Sequence, residues 1–295
     1  MSFVALPLTI VSNALAAVQD HTRRYQDFTY VYPVISRRSR GLSIGINLNP
    51  DKICNFDCVY CEVDRTLPGK RKDVDLQQVH EELRWLVGHA LSGRLGLEPK
   101  FDEVPELSRV VRDIAFSGDG EPTMVHNFDV CVQVAIDVKR EFGLADTRIV
   151  LITDAAGLDK ATVKAGLALM DGHQGEIWGK LDAGTEKFYH LVNRSAVKFE
   201  RILANLRDTA RLRPIIIQSL FLKTHGSVMG QTELEAYCDR LKEIISAGGQ
   251  IREVHAYTVA RPTPEPWATK LTAVELETIA ETIRRRTGLT VAAFE

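Results

Sequence analysis

Three cysteines lie within eight positions of this chain, at Cys54, Cys58 and Cys61, and Tyr60 directly precedes the last of them. Thiolates at spacings of four and three can bind three corners of an iron–sulfur cube. The fourth iron then has no protein ligand, so it can bind a small molecule and pass an electron to it. The spacing therefore predicts a reactive metal centre.

Zinc is the structural alternative for this cysteine run. A structural zinc site needs four ligands, usually in two separated pairs. The remaining cysteines, Cys131 and Cys238, stand alone in apolar helical segments, and no histidine lies near the run. Solitary cysteines in such segments behave as small buried hydrophobes. The sequence thus favours an iron–sulfur site over zinc and over a disulfide framework.

The order of apolar segments predicts the elements that must position the cysteine run. After residue 40, apolar stretches of strand length alternate with segments of helical period, which is typical of βα units around a parallel sheet. The predicted strands cover residues 42–48, 113–117, 148–153, 176–181, 215–221 and 251–257. The predicted helices cover residues 76–87, 128–142, 160–170, 199–212, 232–247 and 273–286.

Six consecutive βα units with right-handed crossovers fit a curved, mostly parallel sheet with helices outside it. We therefore predict an α/β fold, a partial (β/α)6 TIM-like barrel. The predicted core domain covers residues 41–295, including a C-terminal helix and strand, and residues 1–40 form an N-terminal extension packed on the barrel. Functional groups on such sheets gather after the carboxyl ends of strands, where the cysteine run also lies.

Composition and charge limit the classes of protein. The chain has 295 residues, of which 45% are hydrophobic and 26% charged, so it can build one large core. A net charge of −2 gives no overall positive field that would draw the protein onto nucleic acid. No apolar run is long enough to span a bilayer, and the apolar N-terminus has no basic leader. These features predict a cytoplasmic protein without a membrane partner.

The cysteine pattern, with an aromatic residue before its last member, resembles the radical S-adenosylmethionine superfamily. The resemblance implies a [4Fe-4S] cluster on Cys54, Cys58 and Cys61, whose open iron chelates the amino and carboxylate groups of S-adenosylmethionine. It also implies a reductant such as flavodoxin or ferredoxin, because one-electron reduction cleaves the sulfonium. The resulting 5′-deoxyadenosyl radical abstracts hydrogen from a substrate.

Residues 117–123, Ser-Gly-Asp-Gly-Glu-Pro-Thr, directly follow the second predicted strand. Alone they indicate a turn, but beside the cysteine run they are similar to the Gly-Gly-Glu-Pro element of the superfamily. Small residues there let the backbone approach a bound methionine closely. The resemblance implies that the cofactor is contacted from this turn, from Tyr60 and from later strand ends, with candidate residues Gly118, Gly120, Glu121, Thr153, Lys180 and Asp182.

Candidate residues for the substrate side lie in two other segments. Arg37 and Arg38 precede the cluster-bearing unit, while Tyr257 and Arg261 follow from the last predicted strand into a proline-rich loop. Guanidinium groups bind carboxylate or phosphate. We predict catalytic or substrate contacts from Arg38, Tyr257 and Arg261, and the alternative is that the prolines only make a rigid turn.

The combined motifs, from about residue 30 to residue 295, also resemble uncharacterised bacterial radical proteins that are similar to wyosine-tRNA synthases. Those synthases carry a second cluster on upstream cysteines and a lysine that engages pyruvate. This sequence has no cysteine before Cys54 and no lysine before Lys52. The substrate therefore stays open between RNA-base modification, activation of a glycyl-radical enzyme, and peptide or small-molecule modification. A metal-binding structural or electron-transfer module is the non-enzyme alternative.

Overall fold

An eight-stranded curved sheet forms the centre of the computed structural model, which describes residue 17, residues 23–66, residue 69 and residues 73–295. Residues 1–16 and 18–22 of the predicted N-terminal extension lie outside the described residues. The strands follow one another in the order β1(Val31–Ser36), β2(Gly41–Ile46), β3(Val111–Phe116), β4(Arg148–Thr153), β5(Gly175–Lys180), β6(Ile215–Leu220), β8(Ile251–Tyr257) and β10(Val291–Phe294).

Strand β1 pairs antiparallel with β2, and every later neighbouring pair in this sheet is parallel. A separate antiparallel pair joins β7(Lys223–Thr224) to β9(Ala268–Thr269). The helices that connect the strands are α1(Leu76–Leu91), α2(Phe128–Glu141), α3(Ala161–Asp171), α4(Glu186–Val192), α5(Phe199–Leu212), α6(Gln231–Ser246) and α7(Ala273–Thr287). Short 3₁₀ helices cover Arg94–Leu97, Glu106–Arg109 and Pro122–Met124.

The two faces of the sheet are both buried but differ in composition. The outer face packs against the helices in one large apolar core. The inner face carries a small apolar cluster of Ala115, Val150, Trp178 and Ile216. Buried polar side chains also belong to the central strands, among them Asp113, Gln218 and His255. Because polar groups are buried only when they have partners or a function, these residues direct attention to the inside of the barrel.

The predicted fold class is confirmed: the sheet is curled, mostly parallel and has helices outside it. Among the elements that were not predicted are strand β1 and helix α4. Strand β1 contains Pro33, which has no backbone N–H to donate and is tolerated because β1 lies at the sheet edge. Helix α1 extends to Leu91, beyond the predicted end at residue 87, and packs Gly88 against Phe142. None of the described helices is long and apolar enough to cross a bilayer.

Candidate functional site

A cavity of about 280 Å³ lies inside the curved sheet. Its wall brings together nearly all of the site residues predicted from the sequence, although they are spread over more than two hundred positions. The lining includes Arg37, Arg38, Cys54, Cys58, Tyr60, Cys61, Gly118, Gly120, Glu121, Thr153, Lys180, Tyr257 and Arg261. Asp182 does not line the cavity and instead lies behind Tyr60.

The cysteine loop, residues 47–66, follows β2 and is anchored to the end of α4. The backbone N–H of Val59 donates to Val192 O at 2.9 Å, and that of Asp57 donates to Asn193 O at 3.0 Å. The Ser195 hydroxyl donates to Asn55 O at 2.7 Å. The short helix that the sequence did not reveal therefore holds the loop in place.

Each cysteine sulfur of this loop accepts a hydrogen bond from a nitrogen. The donors are the backbone N–H of Phe56 to Cys54 at 3.4 Å, Asn193 Nδ2 to Cys58 at 3.5 Å, and Arg65 Nη1 to Cys61 at 2.8 Å. Burial raises the pKa of the Cys54 thiol to about 12 and that of Cys58 to about 11. The thiols of Cys54 and Cys58 are thus protonated at neutral pH, and binding of a metal would release their protons.

The donor set of the cysteine loop fits an iron–sulfur cluster. In the part of the chain that the structure describes, no three His, Cys, Asp or Glu side chains are arranged to hold a single metal ion. Three thiols line the cavity together, and each has a hydrogen-bond donor. Thiolates are the ligands that iron–sulfur clusters select, and hydrogen bonds to the sulfurs set the reduction potential of such clusters.

Asp182 organises the side of the cavity behind Tyr60. Its buried carboxylate accepts hydrogen bonds from the Tyr60 hydroxyl, from Asn193 Nδ2 at 2.8 Å and from the backbone N–H of Leu220 at 2.8 Å. Burial, followed by the Asp182 charge, raises the pKa of Tyr60 well above its usual value, so the phenol stays neutral. Tyr60 is therefore held in one position by a fully engaged carboxylate.

Lys180 lies close to the same tyrosine. Its Nζ is 5.4 Å from the centre of the Tyr60 ring, within the range of a cation–π contact. Burial lowers the pKa of Lys180, but the combined influence of Tyr257, Cys58 and Asp182 outweighs burial and raises it. The structure therefore places a charged ammonium group on the cavity wall.

The glycines of the turn at 117–123 are required by the approach of the cysteine loop. A Cβ on Gly118 would lie 2.2 Å from Asn47 Oδ1, and a Cβ on Gly120 would lie 1.9 Å from Ile53 O. Asn47 also bridges to the turn, because its Oδ1 accepts from Asp119 N at 3.0 Å. Any larger residue at these two positions would push the turn away from the cysteine loop.

Glu121 joins the ends of β3 and β4 through its buried carboxylate. It accepts hydrogen bonds from the backbone N–H and hydroxyl of Thr123 at 3.0 and 2.6 Å, and from the Thr153 hydroxyl at 2.6 Å. The backbone N–H of Asp154 donates to its other oxygen at 2.8 Å. Glu121 and Thr153, both predicted cofactor contacts, are thus bonded to each other.

Asp154 adds an unpartnered group to the cavity wall. Its Oδ1 accepts from Ala156 N at 2.9 Å, while its buried Oδ2 has no hydrogen-bond partner among the described residues. Burial and then the neighbouring Glu121 charge raise the pKa of Asp154 well above its usual value. The free oxygen is available to a polar group of a ligand.

The arginine cluster, Arg37, Arg38 and Arg261, lines another part of the cavity. The Arg38 guanidinium carbon lies 5.6 Å from the Trp178 ring centre and 5.1 Å from that of Tyr257. Arg261 forms an ion pair with Glu62, the residue after Cys61. The cluster therefore combines positive charge with an aromatic wall.

Sequence reasoning missed three residues that contact this site: Arg65, Asn193 and Trp178. Arg65 is in the cysteine loop but outside the cysteine pattern, and nothing in the sequence distinguishes it from a surface arginine. Asn193 lies 135 positions from Cys58, the sulfur that it contacts. Such contacts depend on the fold and leave no local pattern.

Two curated proteins align with this chain. UPF0026 protein MJ1312 of Methanocaldococcus jannaschii is 30% identical over 164 residues, which is 55% of this chain and 43% of that protein. GTPase Obg of Brachyspira hyodysenteriae is 23% identical over 182 residues, which is 61% of this chain and 23% of that protein. The chain thus spans less than half the length of these curated relatives. No protein-family model matches it.

Solved structures share the fold. The crystal structure of Streptococcus suis SuiB bound to S-adenosylmethionine superposes with a TM-score of 0.56 and 13% identity, covering 88% of this chain and 52% of SuiB. A second SuiB crystal structure gives a TM-score of 0.55, also with 13% identity, over 88% of this chain and 51% of SuiB. At this level of identity the likeness concerns the fold of the barrel.

Proposed function

We propose that this protein is a radical S-adenosylmethionine enzyme. The observation that carries the proposal is the convergence of Cys54, Cys58 and Cys61 with the glycine turn of residues 117–123 on one cavity inside a partial barrel. The fold shared with S-adenosylmethionine-bound SuiB and the alignment with the archaeal UPF0026 protein support a relationship to this superfamily.

The proposed cluster would be held by the three cysteine thiolates of the loop. When bound, it would supply one electron to S-adenosylmethionine, so that hydrogen can be taken from a substrate. Arg65 and Asn193 donate hydrogen bonds to two of the sulfurs and would stabilise the added negative charge. The cavity wall would keep water away from the reacting groups.

The remaining polar groups would orient the cofactor. Lys180 provides an ammonium for a carboxylate, and Asp154 Oδ2 provides an unpartnered oxygen for a hydroxyl or ammonium group. Tyr60 is positioned by Asp182, and Glu121 fixes the turn that carries Gly118 and Gly120. In this proposal Asp182 and Glu121 are positioning residues, because protein donors occupy their carboxylates.

Anaerobic reconstitution tests the proposal. The full chain is loaded with iron and sulfide, reduced with dithionite and incubated with S-adenosylmethionine, and 5′-deoxyadenosine is measured by chromatography with mass detection. We expect the nucleoside to form only when both reductant and cluster are present. A reconstituted protein that makes none, and whose cluster spectrum does not respond to S-adenosylmethionine, would instead be a metal-binding or electron-transfer module.

A further inference from the structure

We propose that the arginine cluster binds an anionic group, a phosphate or a carboxylate, on a small-molecule substrate that enters the barrel. This inference rests on the proposed function, because it assigns the substrate class of the same cavity. Arg38 is its central residue, and Arg37 and Arg261 complete the cluster.

The position of Arg38 places its charge inside the molecule. It belongs to the turn between β1 and β2, and Arg148 Nη2 fixes this turn by donating to Ser39 O at 3.3 Å. From there its side chain reaches the ring of Tyr257, the last residue of β8. The two aromatic rings beside it restrict the guanidinium without using its hydrogen-bond donors in ion pairs. Arg38 is therefore a partly buried cation held beside two aromatic rings.

Four carboxylates of the cavity wall are already engaged by other groups, and the fifth, Asp154, lies beside Glu121 at the end of β4. Asp119 pairs with Arg23 at 3.0 Å, Asp113 pairs with Arg148 at 3.3 Å, and Glu62 pairs with Arg261. Glu121 is surrounded by four donors. Within the described chain, neither Arg37 nor Arg38 has a carboxylate oxygen within the 4.0 Å of an ion pair. The cavity thus contains cationic charge that the protein does not neutralise.

The members of the cluster also repel one another. Burial lowers the pKa of Arg37, and the positive charges of Arg38 and Arg261 lower it further. Partly buried cations without a carboxylate partner are costly to desolvate, so their position in a cavity favours a ligand of opposite charge. The planar guanidinium fork matches the oxygens of carboxylate and phosphate. An anion bound here would offset both the repulsion between these groups and the cost of their desolvation.

The position of the cluster inside the barrel favours a small molecule over a polymer. The cluster and the cysteine loop line one cavity, so the anionic group would lie beside the bound cofactor. Trp178, Tyr257 and Phe294 line it together with the arginines, and they provide an apolar surface for the uncharged part of such a molecule. The chain as a whole has a net charge of −2, which does not favour an RNA partner.

Calorimetric titration of the full chain tests this inference with three probes: inorganic phosphate, succinate and a short single-stranded RNA. We expect binding of phosphate or of succinate, and the stronger of the two identifies the anion. Arg38→Gln should weaken that binding at least about tenfold, as expected for a lost charge-assisted hydrogen bond. Arg140→Gln, at an exposed position on α2, should bind like the unchanged protein.

Arg37→Gln is the second variant, in case Arg38→Gln fails to fold, and it should weaken binding in the same direction. Unchanged affinity in the folded variants, or no binding of either small anion, would overturn the inference. Binding of RNA alone would also overturn it. The titration is made without reductant and S-adenosylmethionine, so its result does not depend on radical chemistry. Formation of 5′-deoxyadenosine without anion binding would reject only this inference.

Discussion

The cysteine loop and the arginine cluster line the same cavity, but their polar groups are paired in different ways. Around the cysteine loop, the charged side chains satisfy one another and the backbone: Asp182 binds Tyr60 and Asn193, and Arg65 donates to Cys61. In the arginine cluster, Arg38 contacts only aromatic rings and carries no ion pair among the described residues.

This difference distinguishes a region whose polar groups are held mainly by one another from a region whose positive charge has few partners in the protein. Internal hydrogen bonds hold groups within a narrow range of positions, which a cofactor site requires. Unpaired charges reduce the stability of the folded state, and they are tolerated where a bound molecule later compensates them. Substitutions in the cysteine loop and in the arginine cluster should therefore have different effects on ligand binding and on stability.

The largest effect is expected from Cys58→Ala. Removing one of three cluster ligands should abolish nearly all iron binding and all formation of 5′-deoxyadenosine, because a cluster held by two thiolates is released. Iron content after anaerobic reconstitution and the ultraviolet–visible spectrum measure the loss.

Cys131→Ala is the matched control for this change. Cys131 is also fully buried, but it packs in α2 away from the cavity. The control should keep the iron content of the unchanged protein, apart from a modest loss of stability from the missing sulfur. Full iron binding by Cys58→Ala would contradict the assignment of the cysteine loop as the cluster site.

The next largest effect is expected from Glu121→Gln, which should lower the stability of the folded protein. The amide nitrogen of glutamine cannot accept a hydrogen bond, so at least one of the four donors around Glu121 loses its partner. We expect a decrease of about 2–3 kcal/mol in the free energy of unfolding, measured by guanidinium denaturation. Glu281→Gln, at an exposed position on α7, should change it by less than about 0.5 kcal/mol.

The same charge-removing exchange at the arginine cluster sharpens the contrast. Arg37→Gln breaks no ion pair with a described residue, so the free energy of unfolding should stay within about 0.5 kcal/mol of its original value. A decrease as large as that of Glu121→Gln would show that the arginine cluster is part of the structural framework and that the two regions do not differ.

The sequence predicted the parts of the molecule that local patterns determine. The cysteine spacing, the alternation of strands and helices, and the glycine turn all depend on neighbouring residues. Strand β1 was missed because Pro33 is unfavourable in a strand unless the strand lies at an edge, and edge position is a property of the whole sheet. Helix α4 was missed because it has only seven residues.

The pairing of side chains within the site could not be predicted from the sequence either. Glu121 and Asp182 were predicted to contact the cofactor, and their places in the sequence gave no sign that protein donors occupy their carboxylates. Likewise, the sequence alone does not distinguish Arg37 and Arg38 from the neighbouring Arg40. Only the curvature of the sheet places the first two on the cavity wall.

A change in acid stability is expected at His255, whose ring lies inside the barrel, 5.0 Å from that of Trp178. Burial, followed by the charges of Arg38, Arg148 and Arg40, lowers the pKa of His255 to about 3. Glu253 faces its Nε2 at 3.2 Å without reversing this shift. Below about pH 6.5, His255 binds a proton in the unfolded chain but not in the folded protein. The free energy of unfolding therefore falls as the pH falls.

For His255 alone, the free energy of unfolding at pH 5 is lower by up to about 2 kcal/mol than at neutral pH. His255→Gln should therefore show a shallower decrease in the free energy of unfolding between pH 7 and pH 5. Arg38→Gln should raise the pKa of His255 in an NMR titration, because one of the nearby positive charges is removed. If the pKa of His255 were the same in both proteins, the positive potential assigned to the arginine cluster would be absent where the anion is proposed to bind.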